Sequence, residues 1–209
     1  MPSTPIRTTA LALAACLATG CTEPVADPVM PNDARPNLAA KPGGPGAAAN
    51  RQLHQVRLGN VNGSRSHGVM LIEIVGGHLA VTVHASGLAP REHIPQHIHR
   101  NPTCAVGGAV LVNLDAGLTV PGEGASTGPA YPVANDGGVV NYYASRPLAD
   151  MIAPVNARFG SGGEAVLQNE IETVEELLAF LNLEARNAHM HGFVAPFTPM
   201  NCGEVERIN

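Results

Sequence analysis

The chain has 209 residues, of which 44% are apolar and 14% charged, with 12 Lys+Arg against 17 Asp+Glu and a formal net charge of −5. That balance excludes a basic nucleic-acid binder, whose phosphate contacts need clustered Lys and Arg, and no apolar run approaches the roughly 18 residues of a membrane-spanning helix. With three Tyr, four Phe, no Trp, 23 Gly and 18 Pro, the composition is that of a loop-rich globular protein whose core is built from Val, Leu, Ile and Ala.

Residues 1–20 read as an export signal. Arg7 is followed by a short apolar run, Thr8 to Leu17, then by small residues and Cys21. The LATGC sequence resembles a bacterial lipobox, which implies lipidation of Cys21 and a membrane-anchored protein of the bacterial cell envelope, on the outer membrane or in the periplasm. Residues 21–50 read as a linker: from Thr22 onward they hold six Pro, three Gly and seven Ala and show no periodic apolar face. The remaining domain, 51–209, has Arg as its only permanent cation, because Lys41 is the sole lysine of the chain.

Strand signals dominate the first half of that domain. Leu53 to Leu58 alternates. Val69 to Val75 and Leu79 to Ala85 are rich in β-branched residues and flank Gly76-Gly77-His78, which predicts a β-hairpin. After the break at Gly87-Leu88-Ala89-Pro90, Gln96 to His99 and Val110 to Leu114 read as further strands. Residues 116–138 read as loop, with an isolated Tyr131, and Val139 to Tyr143 as another strand. Thr173 with Glu176 is a capping-box pattern, and Val174, Leu177, Leu178 and Leu181 recur at helical spacing, so one helix is expected there. Ala188 to Val194 returns to a strand pattern, and the rest of 116–170 stays unassigned.

Nine histidines stand out against this low charge content, and five form two groups: His93, His97 and His99, then His189 and His191. On a strand, His-x-His places both imidazoles on one face, about 7 Å apart at Cα. Two such pairs on neighbouring strands offer three or four nitrogens to one ion, and neutral imidazole suits copper and zinc. The other four, His54, His67, His78 and His84, are scattered. Past the signal and Cys21, two cysteines remain, Cys104 and Cys202. In an exported protein such a pair implies a disulfide, which would draw the two histidine segments together. The alternative is two thiols that bind metal together with a histidine.

The stretch VTVHASGLAPREHIPQHIHRNPTC resembles copper/zinc superoxide dismutase. That family has a strand, a Gly-Leu turn, His-x-x-His-x-His and then a cysteine. Here Gly87-Leu88 leads to His93, His97, His99 and Cys104, with one extra residue between the first two histidines. Near the C-terminus, Asn201-Cys202-Gly203-Glu204-Val205 is similar to the family's second cysteine segment, and His191 to its copper-binding histidine. Exported dismutase-like and CHRD-like domains share these features. The likeness covers residues 69–104 and 186–205.

The resemblance implies a mainly β fold, an immunoglobulin-like Greek-key β-sandwich of the dismutase type with one inserted helix. It implies copper, with zinc as the rival, on His97, His99 and His191, with His189 as a fourth donor and His93 supporting the fold. The family's zinc loop carries the bridging histidine, two further histidines and an aspartate. This chain has no histidine between His99 and His189, so a zinc site and a bridge are not expected. Where the family has an arginine that guides superoxide, this chain has Pro199, and nothing in the sequence places Arg100 or Arg186 there. The expected function is therefore a lipid-anchored, copper-binding dismutase-like protein with weak or absent turnover of superoxide. The other readings are a non-catalytic metal-binding or interaction module, a CHRD-like structural domain, and a cupin-like enzyme. No Glu lies between His99 and Glu123, which disfavours the cupin pattern.

Overall fold

The computed structural model describes residues 51–104, 108–123, 131–192 and 198–209. The signal, the lipidated Cys21 and the linker expected over 1–50 lie outside them. The domain is mainly β. Among the described residues eight strands run β1 (Gln52–Asn60), β2 (His67–Val75), β3 (His78–Ser86), β4 (Gln96–His99), β5 (Val110–Asn113), β6 (Val140–Pro147), β7 (Asn187–His191) and β8 (Pro199–Arg207). Helices α1 (Ala149–Phe159) and α2 (Val174–Leu181) lie between β6 and β7. Among the described residues no helix is long and apolar enough to cross a membrane.

The hairpin forms as its sequence dictates. Gly76 and Gly77 both take positive φ, 56° and 76°, as a two-residue turn matched to strand twist requires. Its register then runs from Val75 opposite His78 to His67 opposite Ser86. Met70, Ile72 and Ile74 of β2, and Leu79, Val81, Val83 and Ala85 of β3, alternate into the core.

All strand pairs are antiparallel, in the order β5-β4-β7-β8-β1-β2-β3-β6. The chain leaves β3, builds β4 and β5 at the far edge, and returns to lay β6 beside β3, the over-and-back path of a Greek key. The two halves of the expected sandwich are one continuous sheet, because β8 pairs with β1 on one side and β7 on the other. The sheet curls on itself: Ile98, Leu111, Val112 and Ala188 of one half join Val56, Ile72 and Val81 of the other in a single buried cluster.

Helix α2 starts where its capping box predicts. The Thr173 side chain accepts from the Glu176 N–H, and the Glu176 carboxylate accepts from the Thr173 N–H. A second helix, α1, occupies part of the stretch read above as unassigned. Its Met151, Val155 and Phe159 recur every four residues and are fully buried. Pro154 inside it has no N–H to give the Asp150 carbonyl, and Arg146 supplies that bond instead, Nη2 to Asp150 O at 2.6 Å. Residues 201–205, read above only as a cysteine segment, lie within the longer strand β8, Pro199–Arg207.

Candidate metal centre

The histidine site is built by strand alternation. Ile98 of β4 and Ala188 and Met190 of β7 point into the core and are fully buried. Their neighbours His97, His99, His189 and His191 therefore share the opposite face. The β4–β7 register sets His97 directly opposite His189 and His99 opposite Asn187. The His191 N–H donates to the Pro95 carbonyl at 2.8 Å, and on the other side of β7 the register against β8 shifts between Met190 and His191. The four rings cluster: centroids lie 4.3 Å apart for His99 and His189, 5.2 Å for His97 and His191, and 5.7 Å for His97 and His99.

Two partners orient the rings. The Gly108 carbonyl accepts from Nδ1 of His99 at 2.8 Å, which leaves Nε2 with its lone pair. Tyr131 Oη lies 2.9 Å from Nε2 of His97, which leaves Nδ1 without a hydrogen-bond partner among the described residues. The segment carrying Tyr131 is itself held by His93, which bridges to Val133 and whose Nδ1 lies 3.3 Å from the Tyr131 carbonyl. Burial raises the pKa of the Tyr131 hydroxyl, with the negative charge of Asp115 adding to it, so the group is a neutral donor and acceptor.

Although this face is away from the core, it is not open. His99 is 5% exposed and His189 2%. Nδ1 of His97, Nε2 of His99 and both nitrogens of His189 are buried with no hydrogen-bond partner among the described residues. Burial, followed by the mutual repulsion of the imidazolium forms, lowers the His97 pKa to about 3 and that of His189 to about 4. For His99 burial also lowers it, against an opposing bond to the Gly108 carbonyl. These rings are neutral lone-pair donors at neutral pH.

One nitrogen each of His97, His99 and His191 lies within 4.8 Å of the others, and metal–nitrogen bonds of about 2.0–2.1 Å would draw them in to roughly 3.3–4.1 Å. The set contains no carboxylate and suits copper or zinc over calcium or magnesium. The orphaned, buried Nδ1 of His97 and Nε2 of His99 fit such an ion, since each otherwise forfeits a hydrogen bond. A nitrogen of His189 groups instead with the sulfurs of Cys104 and Cys202, again within 4.8 Å. Those sulfurs are joined: Cys104–Cys202 is a disulfide with Cα atoms 5.9 Å apart, closing a separation of 98 residues.

The remaining histidines lie elsewhere. His54 is buried in β1 with Nε2 4.0 Å from Glu184, and His67 Nε2 meets Ser86 Oγ at 3.1 Å across the β2–β3 ladder. Arg100 and Arg186, the two arginines considered for the guiding role, are both engaged elsewhere. Arg186 donates to the carbonyls of Leu181, Arg100 and Phe180 at 2.8–2.9 Å, and Arg100 pairs with Glu164 at 3.2 Å. Both line a cleft of about 530 Å³ that contains none of the histidines.

Sequence reasoning did not find Tyr131 or Asn187. Tyr131 had one signal, a lone aromatic within a Gly/Pro/Ser loop of an aromatic-poor chain. Asn187 had none. It is fully buried, and its Nδ2 donates to the carbonyls of Asn101 and Thr103, which fixes the segment that carries Cys104.

No family model and no curated protein matches this chain. Solved structures of superoxide dismutase 5 from Candida albicans are similar at low identity. The Cu(II) form is 12% identical, with 77% of this chain and 94% of that chain covered and a TM-score of 0.44. Two single-substitution variants of that enzyme are 13% and 12% identical, covering 75% and 76% of this chain and 89% and 93% of theirs, with TM-scores of 0.42 and 0.41.

Proposed function

We propose that the chain is a copper-binding, superoxide dismutase-like protein, exported and lipid-anchored at Cys21 in the bacterial cell envelope. The observation that carries this reading is the group of His97, His99 and His191, in which Nδ1 of His97 and Nε2 of His99 are buried without partners. The His-x-His and Asn-Cys-Gly sequence motifs support the family, and the Pro-rich stretch after Cys21 supports a tether.

In this reading His97, His99 and His191 hold one copper ion. When bound, copper supplies one-electron chemistry, cycling between Cu(II) and Cu(I) as one superoxide is oxidised and the next reduced. The chain's own part is positional. Tyr131 fixes His97, the Gly108 carbonyl fixes His99, and the ring of His189 packs on His99, so the donors lose little entropy on binding. Burial keeps the rings neutral and ready to ligate. The protons that peroxide formation consumes come from water.

A second reading, a copper-binding module without turnover, is favoured by one observation. The guanidinium of Arg186 is spent on backbone carbonyls and that of Arg100 on Glu164, so neither is available to draw in an anion. The net charge of −5 adds no long-range attraction for superoxide.

The test is elemental analysis of the full chain purified from an oxidising compartment, beside the His97→Ala/His99→Ala double variant. Near one equivalent of copper, lost in the variant, supports the site; zinc in its place reassigns the ion; no transition metal after copper loading overturns the reading. A superoxide assay on the loaded protein then separates the enzyme from the silent binder.

A further inference from the structure

The histidine that groups with the disulfide is hard to explain by packing alone. His189 is 2% exposed and both its ring nitrogens lack a hydrogen-bond partner among the described residues. Such a group costs about 1–3 kcal/mol per unsatisfied atom, and a phenylalanine or leucine would fill the position without that cost. The side chain is nevertheless aimed at two sulfurs, with a nitrogen within 4.8 Å of both. It faces Cys202 directly across the β7–β8 ladder.

We propose that Cys104, Cys202 and His189 form a second metal site, for a thiophilic closed-shell ion such as Zn(II) or Cu(I), which exists only when the Cys104–Cys202 bridge is reduced. This inference stands on the sulfur–imidazole group and does not depend on the three-histidine reading.

The step balances as follows. A dithiol attacks the bridge, its two thiols are oxidised to a disulfide, and Cys104 and Cys202 become thiols, two electrons and two protons having been transferred. Binding of a divalent ion then releases the two thiol protons. Two thiolates and one neutral imidazole neutralise a 2+ charge, which lowers the cost of burying it. Metal–sulfur bonds of about 2.3 Å require the sulfurs to separate once the covalent bond is gone. Cys202 is held in β8, whereas Cys104 lies outside any strand and is half-buried, so a reductant reaches it, and with Asn187 holding its segment the sulfurs separate by rotation of the Cys104 side chain. Two thiolates and an imidazole leave a fourth tetrahedral position for water. In an oxidising compartment the bridge is closed and the site silent. On reduction it captures an ion and holds the histidine segments together in the bridge's place.

The experiment uses the full chain carrying His97→Ala and His99→Ala, so that the three-histidine group does not compete. The protein is reduced anaerobically with a dithiol, freed of reductant, and titrated with Co(II). The expected result is one equivalent bound, with a thiolate-to-cobalt charge-transfer band, and no band in the oxidised protein. Cys104→Ser in the same background abolishes the band. His189→Asn keeps the thiolate band but weakens binding at least tenfold, and far-ultraviolet circular dichroism establishes that the sheet is intact. A reduced protein that shows no band overturns the proposal, as does one that loses its β signal on reduction. Unchanged affinity in His189→Asn equally overturns it, since the thiols then act without the histidine.

Discussion

His97 and His189 face each other directly across the β4–β7 ladder, yet nitrogens of the two rings belong to different donor groups. His97 joins His99 and His191, whereas His189 joins the two bridged sulfurs. The β4–β7 ladder continues regularly past Met190, with the His191 N–H bonded to the Pro95 carbonyl, and the His191 ring lies 5.2 Å from that of His97.

The hydroxyl of Tyr131 is expected to tune the metal centre through His97. Tyr131→Phe removes the partner of Nε2 and leaves the ring free to turn. Loss of such an outer partner costs about 10–100-fold in metal affinity. Competition titration with a copper chelator measures it, and circular dichroism checks that the fold is kept. Affinity within twofold of the parent contradicts the role.

Acid is expected to destabilise the metal-free protein through these same rings. His97 and His189 have folded pKa values of about 3 and about 4, below the ordinary 6.5. Between those limits the unfolded chain binds more protons than the folded one, so stability falls as pH drops through that window and is level above about 6.5 with respect to these groups. Each contributes a slope of at most about 1.4 kcal/mol per pH unit. Urea midpoints at pH 7.5, 6 and 5 test this, and the slope is expected to be shallower in His189→Asn.

Gly203 permits the close approach of β8 to β1 beside the disulfide. A Cβ there would lie 2.3 Å from the Arg57 carbonyl oxygen and 2.7 Å from Cγ1 of Val56. Backbone cannot yield as a flexible side chain does, so Gly203→Ala is expected to cost about 1–3 kcal/mol. It also displaces the neighbouring Cys202. A thermal midpoint unchanged from the parent would show that the strands can part at no cost.

Arg146 stitches three segments together. Its guanidinium makes paired bonds to the Glu123 carboxylate at 2.6 and 2.8 Å, with further donation to the Leu118 and Asp150 carbonyls. The Glu123 pKa is lowered, first by that hydrogen bond. Arg146→Met strands the Glu123 carboxylate and the carbonyl that Pro154 leaves open, and about 2 kcal/mol of stability is expected to go with it. Glu123→Gln, which keeps an acceptor, is expected to lose less. Equal losses in chemical denaturation would assign the effect to packing alone.

Much of the β framework is legible in the sequence because its signals are local. The Gly76-Gly77 turn, the alternation of β2 and β3 and the Thr173–Glu176 cap each depend on residues a few positions apart. Helix α1 carried the right apolar spacing, but Pro154 and the absence of a side-chain cap at Leu148 concealed it. The carbonyl its proline leaves open is satisfied by Arg146, from another element. Strand β8 was hidden behind its cysteine motif, since Asn201, Gly203 and the charged tail do not alternate cleanly.

For the site, residue type and period two determined that His97 and His99 share a face, as do His189 and His191. A strand's side-chain direction is a property of the chain itself. Which imidazoles meet, and which nitrogen of each is left for a ligand, was decided only by the tertiary structure. Those depend on the β4–β7 register and on a tyrosine and a glycine carbonyl brought from neighbouring loops. Local sequence encodes direction along one strand, whereas ligand geometry is a relation among strands, and only the folded sheet sets their distances.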